Sequence, residues 1–378
     1  MTDTTGKATV LFPGTEYLIL SIDGDIMKKI RIAQIGVEHD HASMIMNSLR
    51  TQKDIFEVVG FADPEEEWIV DTYTGKLTVG GRESSTLIPY EDVYKGLPQM
   101  SVEQILSIPD LDAVSIETSE KNLFKYAQMA ADRCLSVHMD KPGGTDYRDF
   151  EKLVNTFKQS GKTLHLGYMY RYNPEIIKVI EDADAGKYGD IYSVECHMSC
   201  YHKDEKRAWM ANYKGGMMFF LGCHLIDLIY RIQGEPEEVI PLNTVTGING
   251  IDRGEDYGFA VLKYKNGVSF AKTCAAEAGG FLRRQVVVCG SKGTVEVHPI
   301  EAYTIEKDNP ARYTLTREVC DDIYVWGNDG VKRKSFFDRY DGMMLSFAQI
   351  VKGEKVNPYS LDYELGMYKV LLKACGME

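Results

Sequence analysis

The sequence predicts an α/β fold: a doubly wound parallel sheet, followed by an α+β domain with a mostly antiparallel sheet. Two observations predict it. Short apolar segments rich in β-branched residues alternate with helical segments from residue 30 to about residue 170, whereas the later strand-like segments follow one another with turns between them. Strands that alternate with helices form right-handed βαβ units in a parallel sheet, and strands joined by short turns form antiparallel hairpins. A chain of 378 residues is long enough for both domains.

The first half of the chain contains the alternating elements. Each strand is a short, almost continuous apolar run, as expected for a strand that is buried on both faces. The predicted strands cover residues 30–36, 56–63, 111–117, 136–140 and 164–170, and the predicted helices cover residues 41–49, 120–134 and 147–159.

The second half changes character after about residue 171. Strands are predicted over residues 194–201, 258–264, 268–273, 285–289, 294–298 and 313–319, with an apolar helix over 217–232 and amphipathic helices over 335–351 and 361–374. Asn266-Gly267 and Ser291-Lys292-Gly293 lie between strand pairs and predict hairpin turns. We expect residues 1–27 to be an N-terminal extension, residues 28–150 a first domain and residues 151–378 a second domain.

Charge and composition narrow the class of function. The chain has 43 basic and 56 acidic residues, a net charge of −13 and a pI near 5.2. An acidic surface repels phosphate backbones and anionic lipids, so we expect neither a nucleic-acid partner nor a membrane partner. Chemistry on a small molecule is the favoured function.

The cysteines and the apolar segments predict a cytoplasmic protein. No apolar run approaches the roughly 18 residues that a membrane span requires, and no basic region with a cleavage site precedes the apolar segment at residues 17–22. The eight cysteines show no spacing of a disulfide framework, which favours reduced thiols.

A candidate dinucleotide site follows the first predicted strand. Gly36 supplies the tight turn, but the G-x-G-x-x-G template matches only at this glycine, because Glu38 and His41 occupy the second and third positions. Asp63 ends the second strand, where a carboxylate accepts hydrogen bonds from an adenosine ribose and repels a 2′-phosphate, which favours NAD over NADP. The alternative is that Asp63-Pro64 only forms a turn at the strand end.

A lysine lies at the carboxyl end of the fourth strand. The segment Asp140-Lys141-Pro142-Gly143-Gly144 follows residues 136–139, and ligands bind at this edge of an open α/β sheet. A lysine here can polarise a carbonyl or stabilise an alkoxide. The alternative is a solvated turn lysine, and we favour the functional interpretation.

The apolar helix at residues 217–232 carries a second candidate. It is hydrophobic nearly all round and is therefore expected to be buried, yet it contains His224 and, three residues later, Asp227. Gly222 leaves room for a ligand or a neighbouring backbone beside them. A neutral imidazole in this environment can take a proton from a hydroxyl, although a lone buried histidine is more often a satisfied core residue.

Four soft ligands lie close together in the sequence, but we expect no metal. Cys196, His197, Cys200 and His202 match no zinc signature, so core packing is the favoured interpretation. His39 and His41 are expected to lie at the helix start near the cofactor rather than to bind a metal.

Taken in order, these motifs resemble the glucose–fructose oxidoreductase/inositol dehydrogenase/MocA (Gfo/Idh/MocA) family. The resemblance runs from about residue 28 to the end of the chain. It is carried by Gly36, Asp63, Asp140-Lys141-Pro142, Gly167-Tyr168 with Arg171 and Pro174, Gly215-Gly216, Gly222-Cys223-His224 with Asp227, the hairpin at residues 290–296, and Phe347 with Gly353 and Pro358.

This resemblance implies an N-terminal Rossmann domain and a C-terminal domain whose large open sheet serves oligomerisation, which suggests a homodimer or homotetramer. It implies NAD(P)-dependent oxidation or reduction of a sugar, polyol or related derivative. Lys141 matches the lysine of the family's E-K-P motif and His224 the histidine of its D-x-x-x-H motif. In that role His224 shuttles the hydroxyl proton while Lys141 stabilises the oxygen.

The expected site residues follow from these motifs. The cofactor contacts are Gly36, Val37, Glu38, His39, His41, Asp63, Glu117, Thr118, Lys141 and Pro142, and the cofactor is NAD. The substrate contacts are Tyr170, Arg171, His202, Trp209 and Asp227.

Three departures from the family pattern keep alternatives open. Asp140 replaces the glutamate of E-K-P, Glu38 replaces the second glycine, and Phe220 replaces the aspartate four residues before His224. Asp227 is a candidate replacement for that acid, with a helix-anchoring role as its alternative. The favoured function is an NAD-dependent sugar or polyol dehydrogenase. The others are a glycosidase or lyase that uses tightly bound NAD for transient oxidation, and a non-catalytic nucleotide-dependent sensor.

Overall fold

The computed structural model describes residues 7–9, 19–21, 28–37, 39–64, 69–70, 77–78, 90–303, 313–320 and 331–377. Glu38, which the sequence analysis places in the cofactor site, lies outside these residues. Most of the predicted N-terminal extension also lies outside them, and the predicted domain bounds stay a prediction.

The strands are numbered in chain order over the described residues. They are β1 (Lys7–Thr9), β2 (Ile19–Ser21), β3 (Ile30–Ile35), β4 (Phe56–Ala62), β5 (Ile69–Val70), β6 (Leu77–Thr78), β7 (Ala113–Ile116), β8 (Ser136–Met139), β9 (Leu164–Leu166), β10 (Ile191–His197), β11 (Glu238–Pro241), β12 (Tyr257–Tyr264), β13 (Gly267–Cys274), β14 (Gln285–Gly290), β15 (Gly293–Val297), β16 (Ala302–Tyr303), β17 (Tyr313–Cys320) and β18 (Val331–Phe337).

The helices are numbered in the same way. They are α1 (Ala42–Thr51), α2 (Tyr90–Val93), α3 (Val102–Leu106), α4 (Leu123–Ala131), α5 (Tyr147–Ser160), α6 (Pro174–Asp184), α7 (Asp204–Trp209), α8 (Cys223–Gln233), α9 (Asp341–Val351) and α10 (Leu361–Ala374). A π-helix (Met218–Gly222) precedes α8, and 3₁₀ turns cover Met169–Tyr172, Met210–Asn212, Ile248–Gly250 and Gly280–Arg283. None of the helices in the described part of the chain is long and apolar enough to cross a membrane.

The first sheet confirms the predicted parallel arrangement. Its five strands lie in the order β4-β3-β7-β8-β9, and every neighbouring pair is parallel. The strands are apolar because helices cover both faces of the sheet, and β7, β8 and β9 are buried throughout. Their carboxyl ends share one edge, which places Gly36, Asp63, Glu117, Asp140 and Gly167 there.

The fifth strand is shorter than the predicted 164–170. β9 ends at Leu166. The Gly167 N–H still donates to the Met139 carbonyl at 2.9 Å, but the chain then turns into the 3₁₀ helix that begins at Met169. A Cβ on Gly167 would lie 2.8 Å from Asp140 Oδ1, so only glycine allows this close approach. After the turn, the rings of Tyr168 and Tyr170 lie against His224 of α8.

The second sheet is mixed and mostly antiparallel, as predicted. Nine described strands form it in the order β11-β12-β13-β10-β14-β15-β17-β16, with β18 paired to β17. Within the described residues β10 and β13 are its parallel neighbours. Both predicted hairpins form with two-residue loops, since Tyr264 pairs with Gly267 and Gly290 pairs with Gly293.

Two helix predictions need correction. Residues 335–337 were predicted to begin a helix but pair with β17 as the end of β18, and the helix begins at Asp341. The apolar helix at 217–232 is a π-helix followed by α8. Helix α6 was not predicted, although Asn173 caps it with its side chain and Pro174 stands at its first position, both recognised start signals.

The turn after β3 yields a stability prediction. Gly36 has φ +95°, and a Cβ there would lie 2.5 Å from the Thr118 nitrogen. Gly161 has φ +67° with open space around it. We expect G36A to lower the free energy of unfolding by more than about 2 kcal/mol, and G161A to pay only the left-handed backbone penalty of about 1 kcal/mol. Urea unfolding measures both, and equal losses would contradict the close packing inferred at Gly36.

Candidate active site

Backbone hydrogen bonds join the first turn to the neighbouring strand ends. The Gly36 N–H donates to the Ala62 carbonyl at 2.9 Å, and the Glu117 N–H donates to the Ile35 carbonyl at 2.8 Å. The His39 N–H donates to the Glu117 carbonyl at 3.0 Å. The structure therefore brings most of the expected cofactor contacts together at one edge of the parallel sheet: Gly36, Val37, His39, His41, Asp63, Glu117, Thr118, Lys141 and Pro142.

Asp63 lines a cavity beside the end of β4. The cavity has a volume of about 300 Å³. Its walls combine apolar, aromatic and polar side chains, as an adenosine requires: Ala62, Asp63, Pro64, Met100, Ser101, Val102, Glu103, Lys125, Tyr126 and Met129.

Asp140 is the centre of a buried polar cluster. Its Oδ2 lies 3.2 Å from His39 Nδ1 and 3.0 Å from His41 Nδ1, and its Oδ1 accepts the Lys141 N–H at 2.6 Å. Burial alone raises the pKa of Asp140, but the two histidines outweigh it and hold that pKa well below its usual value. The carboxylate is therefore ionised at neutral pH.

Glu117 lies next to Asp140, and its pKa is shifted in the opposite direction. The Ser115 hydroxyl donates to Glu117 Oε1 at 2.8 Å, and the side chain is fully buried. Burial first, and then the Asp140 charge, raise the pKa of Glu117 well above its usual value. Two carboxyl groups this close disfavour the ionisation of both at once. The Glu117 side chain is turned into this cluster, while its backbone supports the turn after Gly36.

Lys141 is buried and aimed at the helix that carries His224. Its Nζ donates to the Phe220 carbonyl at 2.7 Å and lies 4.7 Å from the centre of the Phe220 ring. Phe220 belongs to the π-helix. The residue at the position of the family's aspartate therefore contacts the lysine through its backbone carbonyl and its ring, and the buried lysine excludes the solvated-turn alternative.

His224 is buried without a hydrogen-bonding partner among the described residues. It is 1% exposed, and neither ring nitrogen has a hydrogen-bond partner among them. The rings of Tyr168 and Tyr170 stand perpendicular to it, with centroids 5.8 and 5.0 Å away. Burial, followed by the charge of Lys141, lowers the pKa of His224 well below 6.5, so the imidazole is neutral and can accept a proton.

His202 and Trp209, two of the expected substrate contacts, flank Phe220. Their ring centroids lie 6.0 and 5.6 Å from the Phe220 ring. Burial and the charge of Lys206 lower the pKa of His202 to about 4. Lys206 was not predicted, yet its Nζ lies 3.8 Å from the Trp209 ring centre and 3.2 Å from Asp40 Oδ2. Its signal in the sequence was only its position three residues before Trp209, one turn of helix away.

Tyr170 is held by a buried charge cluster. Its hydroxyl donates to Glu301 Oε1 at 2.6 Å and accepts from Arg284 at 2.9 Å. Arg339 also bonds Glu301, through Nε at 2.7 Å. These partners come from distant segments, and no motif indicated them.

Arg171 and Asp227 are turned inward. Arg171 donates to both carboxylate oxygens of Asp227, at 2.9 and 2.7 Å, and also bonds Glu364. The Tyr363 hydroxyl donates to Asp227 at 2.9 Å. These contacts occupy the carboxylate, which favours the helix-anchoring role of Asp227 over its replacement of the missing acid beside His224. The arrangement favours a structural role over substrate contact for both residues.

D227N removes one of the two carboxylates that pair with the buried Arg171 and leaves Glu364 as its remaining charged partner. We therefore expect the free energy of unfolding to fall by about 3 kcal/mol, the lower end of the cost of breaking a buried ion pair. The control is Asp184 of α6. It pairs with Arg231 of α8, the helix that carries Asp227, but the Asp184 side chain is 56% exposed. We expect D184N to cost at most about 1 kcal/mol. Denaturant unfolding compares the two variants. A small loss of unfolding free energy in D227N would contradict the structural role of Asp227 and favour its role as a substrate contact.

Family models match both parts of the chain. The model described as "Oxidoreductase family, NAD-binding Rossmann fold" matches residues 30–168. The model described as "GFO/IDH/MocA C-terminal domain" matches residues 176–296. Together they cover more than half of the sequence.

Individual relatives are distant. An uncharacterized oxidoreductase of Rhizobium meliloti, ORF334, is 22% identical over 279 residues, or 72% of this chain and 79% of its own. Among solved structures, the aldose-aldose oxidoreductase from Caulobacter crescentus, complexed with glycerol, has a TM-score of 0.70 at 18% identity, covering 92% of this chain and 98% of that one.

A second solved structure is the WlbA dehydrogenase from Bordetella pertussis, in complex with NADH and UDP-GlcNAcA. Its TM-score is 0.65 at 16% identity, covering 90% of this chain and 93% of that one. These two likenesses show the fold. Together with the two family models and the site at the strand ends, they lead to one conclusion: the chain belongs to the GFO/IDH/MocA family of oxidoreductases with an NAD-binding Rossmann fold.

Proposed function

We propose that this oxidoreductase transfers a hydride between a CH–OH carbon of a sugar, polyol or related derivative and the nicotinamide of NAD. The observation that carries the proposal is His224. It is a buried, neutral imidazole whose two nitrogens have no partner among the described residues. Lys141 lies close enough to influence its pKa. A substrate hydroxyl placed between the two groups would satisfy both.

The residues of the strand edge fit a dinucleotide. Gly36 makes the tight turn, and His41, the residue before α1, makes no side-chain cap to the helix. The start of a helix is suited to a phosphate. Asp63 stands beside a cavity of about 300 Å³, where its carboxylate suits a ribose hydroxyl and opposes a 2′-phosphate. This supports NAD rather than NADP.

Each group then has a defined task. When bound, nicotinamide supplies the hydride acceptor at its C4 position. In the oxidising direction His224 accepts the hydroxyl proton on a ring nitrogen as the C–H hydride leaves the same carbon. The Lys141 ammonium stabilises the negative charge that develops on the oxygen, and the C=O bond forms. The reducing direction reverses these steps, with His224 returning the proton.

Aromatic residues support the substrate class. Phe220 and Trp209 meet nearly edge to face, at 83°, with the ammonium of Lys206 over both rings. Aromatic faces cover the apolar C–H surface of a sugar, and nearby charged groups bind its hydroxyls. Sugar-related molecules or glycerol also accompany the two solved relatives named above.

The cofactor assignment is tested by titrating the purified protein with NAD and with NADP, with thermal stabilisation as the readout. We expect saturable stabilisation by NAD and a weaker response to NADP. D63S should weaken NAD binding by about tenfold, the loss expected for one good hydrogen bond to a charged group. The exposed Asp54 provides the control D54S. Tighter binding of NADP, or equal affinities in D63S and D54S, would contradict the role of Asp63.

We also propose that the chain forms a homodimer or homotetramer through the open face of its second sheet. Strands β12, β13 and β14 alternate between buried and partly exposed residues, so one face of the sheet is uncovered over these strands, and Val268 on that face is 50% exposed. Exposed apolar side chains on a sheet face favour association. Sedimentation velocity tests this, and a monomer at micromolar concentration would contradict it.

A further inference from the structure

Three potential metal ligands meet at the carboxyl edge of the parallel sheet. His39 and His41 follow β3, and Asp140 follows β8. One ligand atom from each lies within 4.8 Å of the other two. Asp140 Oδ2 is shared, at 3.2 Å from His39 Nδ1 and 3.0 Å from His41 Nδ1. Ligands at about 2.0–2.2 Å from a divalent ion lie about 3.0–3.5 Å from each other, which matches these separations.

The tautomer of His39 supports a cation at this point. His39 Nε2 lies 3.2 Å from the Lys141 carbonyl, which can only accept, so Nε2 carries the proton and donates it. His39 Nδ1 is then left without a proton, and it accepts the His41 backbone N–H at 3.3 Å in the absence of an ion. The same Nδ1 atom lies 3.2 Å from an ionised carboxylate oxygen of Asp140. A cation beside these two atoms, either a second proton on the ring or a metal ion, would stabilise their close approach.

The surroundings match those of metal-binding histidines and carboxylates. Ligating histidines usually donate their other N–H to a carbonyl or carboxylate, as His39 does to the Lys141 carbonyl. Asp140 Oδ1 accepts the Lys141 backbone N–H at 2.6 Å, which orients the carboxylate. The His39 and Asp140 side chains are 0% and 1% exposed, whereas that of His41 is 14% exposed, so an ion would enter from the side of His41.

A departure from the G-x-G-x-x-G template and a departure from the family pattern coincide here. His41 occupies the third glycine position of the phosphate-binding turn, and Asp140 replaces the glutamate of the E-K-P motif. Both are unexplained by nucleotide binding alone, yet their side chains contact each other at 3.0 Å. A site that requires both residues would account for the two changes together.

We propose that His39, His41 and Asp140 bind one divalent first-row metal ion, of which Mn²⁺ and Zn²⁺ are representatives. Two imidazoles and one carboxylate are a ligand set that these ions accept. Three protein ligands leave at least one position open to water or another small ligand, as in catalytic rather than structural sites. The proposal rests on side-chain geometry and does not depend on the dehydrogenase function.

The test uses Mn²⁺ and the full-length protein after removal of metals by chelation. Electron paramagnetic resonance of free Mn²⁺ gives affinity and stoichiometry, and electron spin echo modulation detects coordinated imidazole nitrogen. We expect one bound ion with nitrogen modulation. H41N and D140N should each weaken binding by at least tenfold and lose or reduce that modulation. D140N retains an oxygen for the Lys141 N–H, and H41N alters the most exposed ligand, so the fold should survive at least one change.

The matched control is H197N, because His197 also lies beside a carboxylate, Glu277, at 3.3 Å, but outside this cluster. It should bind Mn²⁺ like the parent protein. An absence of bound Mn²⁺ would overturn the proposal and leave the cluster as hydrogen bonds around a protonated His39. Binding that persists unchanged in both H41N and D140N would place the ion elsewhere and would overturn it equally. Neither readout involves turnover, so this outcome and that of the proposed function remain separate.

Discussion

Replacing Lys141 by methionine is expected to lower kcat by about 10²–10³-fold while NAD affinity changes little. Methionine keeps most of the length and bulk of the buried side chain but removes its ammonium group. The loss corresponds to about 2.7–4 kcal/mol of transition-state stabilisation, as for other donors aimed at a developing oxyanion. The Phe220 carbonyl also loses its 2.7 Å partner, so a modest loss of stability should accompany the loss of activity.

The measurement is the initial rate of NADH formation, with NAD binding measured in parallel. Lys263 provides the control K263M, because its side chain is 47% exposed and pairs with Glu238 on the second sheet. That variant should keep the parent rate. A K141M variant with the parent kcat would contradict a catalytic role of Lys141. Weaker NAD binding with an unchanged kcat would indicate that Lys141 binds the cofactor instead.

Replacing His224 by asparagine is expected to lower kcat by about 10²–10⁴-fold, the usual contribution of a positioned general base. Stability at neutral pH should change little, because a buried amide replaces a buried imidazole that has no hydrogen-bond partner among the described residues. Unfolding curves and NADH formation together separate this role from that of a core histidine. The exposed His298 supplies the control H298N.

The same variant has a predicted pH signature. The pKa of His224 in the fold is well below its ordinary value of 6.5, so the unfolded chain binds this proton first as pH falls. The parent protein therefore loses stability as pH drops below about 6.5, and H224N should lose less over that range. Identical pH dependence of unfolding in H224N and the parent protein would contradict the burial of a neutral imidazole.

Local pattern explains which elements the sequence could predict. The apolar strands of the first sheet, the two-residue hairpins and the helix at Leu361–Ala374 follow from periodicity and turn chemistry. Residues 335–337 were misassigned because strand pairing with β17, a tertiary contact, decided their conformation. The π-helix has no sequence signature, since its wider turn is set by packing and by the bond from Lys141 to the Phe220 carbonyl.

The residues of the candidate site also fall into a group that the sequence could predict and a group that it could not. Residues at strand ends, such as Gly36, Asp63 and Lys141, were predictable because parallel strands end at one edge. Lys206, Arg284 and Glu301 were not, because their contacts join segments far apart in the chain. The sequence also indicated that Phe220 removes an acid, but it did not show that the Phe220 carbonyl binds the lysine.

Hydride transfer from substrate to nicotinamide is the reaction to measure. The protein is incubated with NAD and a panel of sugars and polyols deuterated at each CH–OH carbon, and the NADH formed is analysed by mass spectrometry. We expect saturable NADH formation with at least one compound, one deuterium transferred to nicotinamide, and loss of both signals in K141M and H224N. Binding of NAD without any NADH formation across the panel would contradict the dehydrogenase function and favour a nucleotide-dependent sensor.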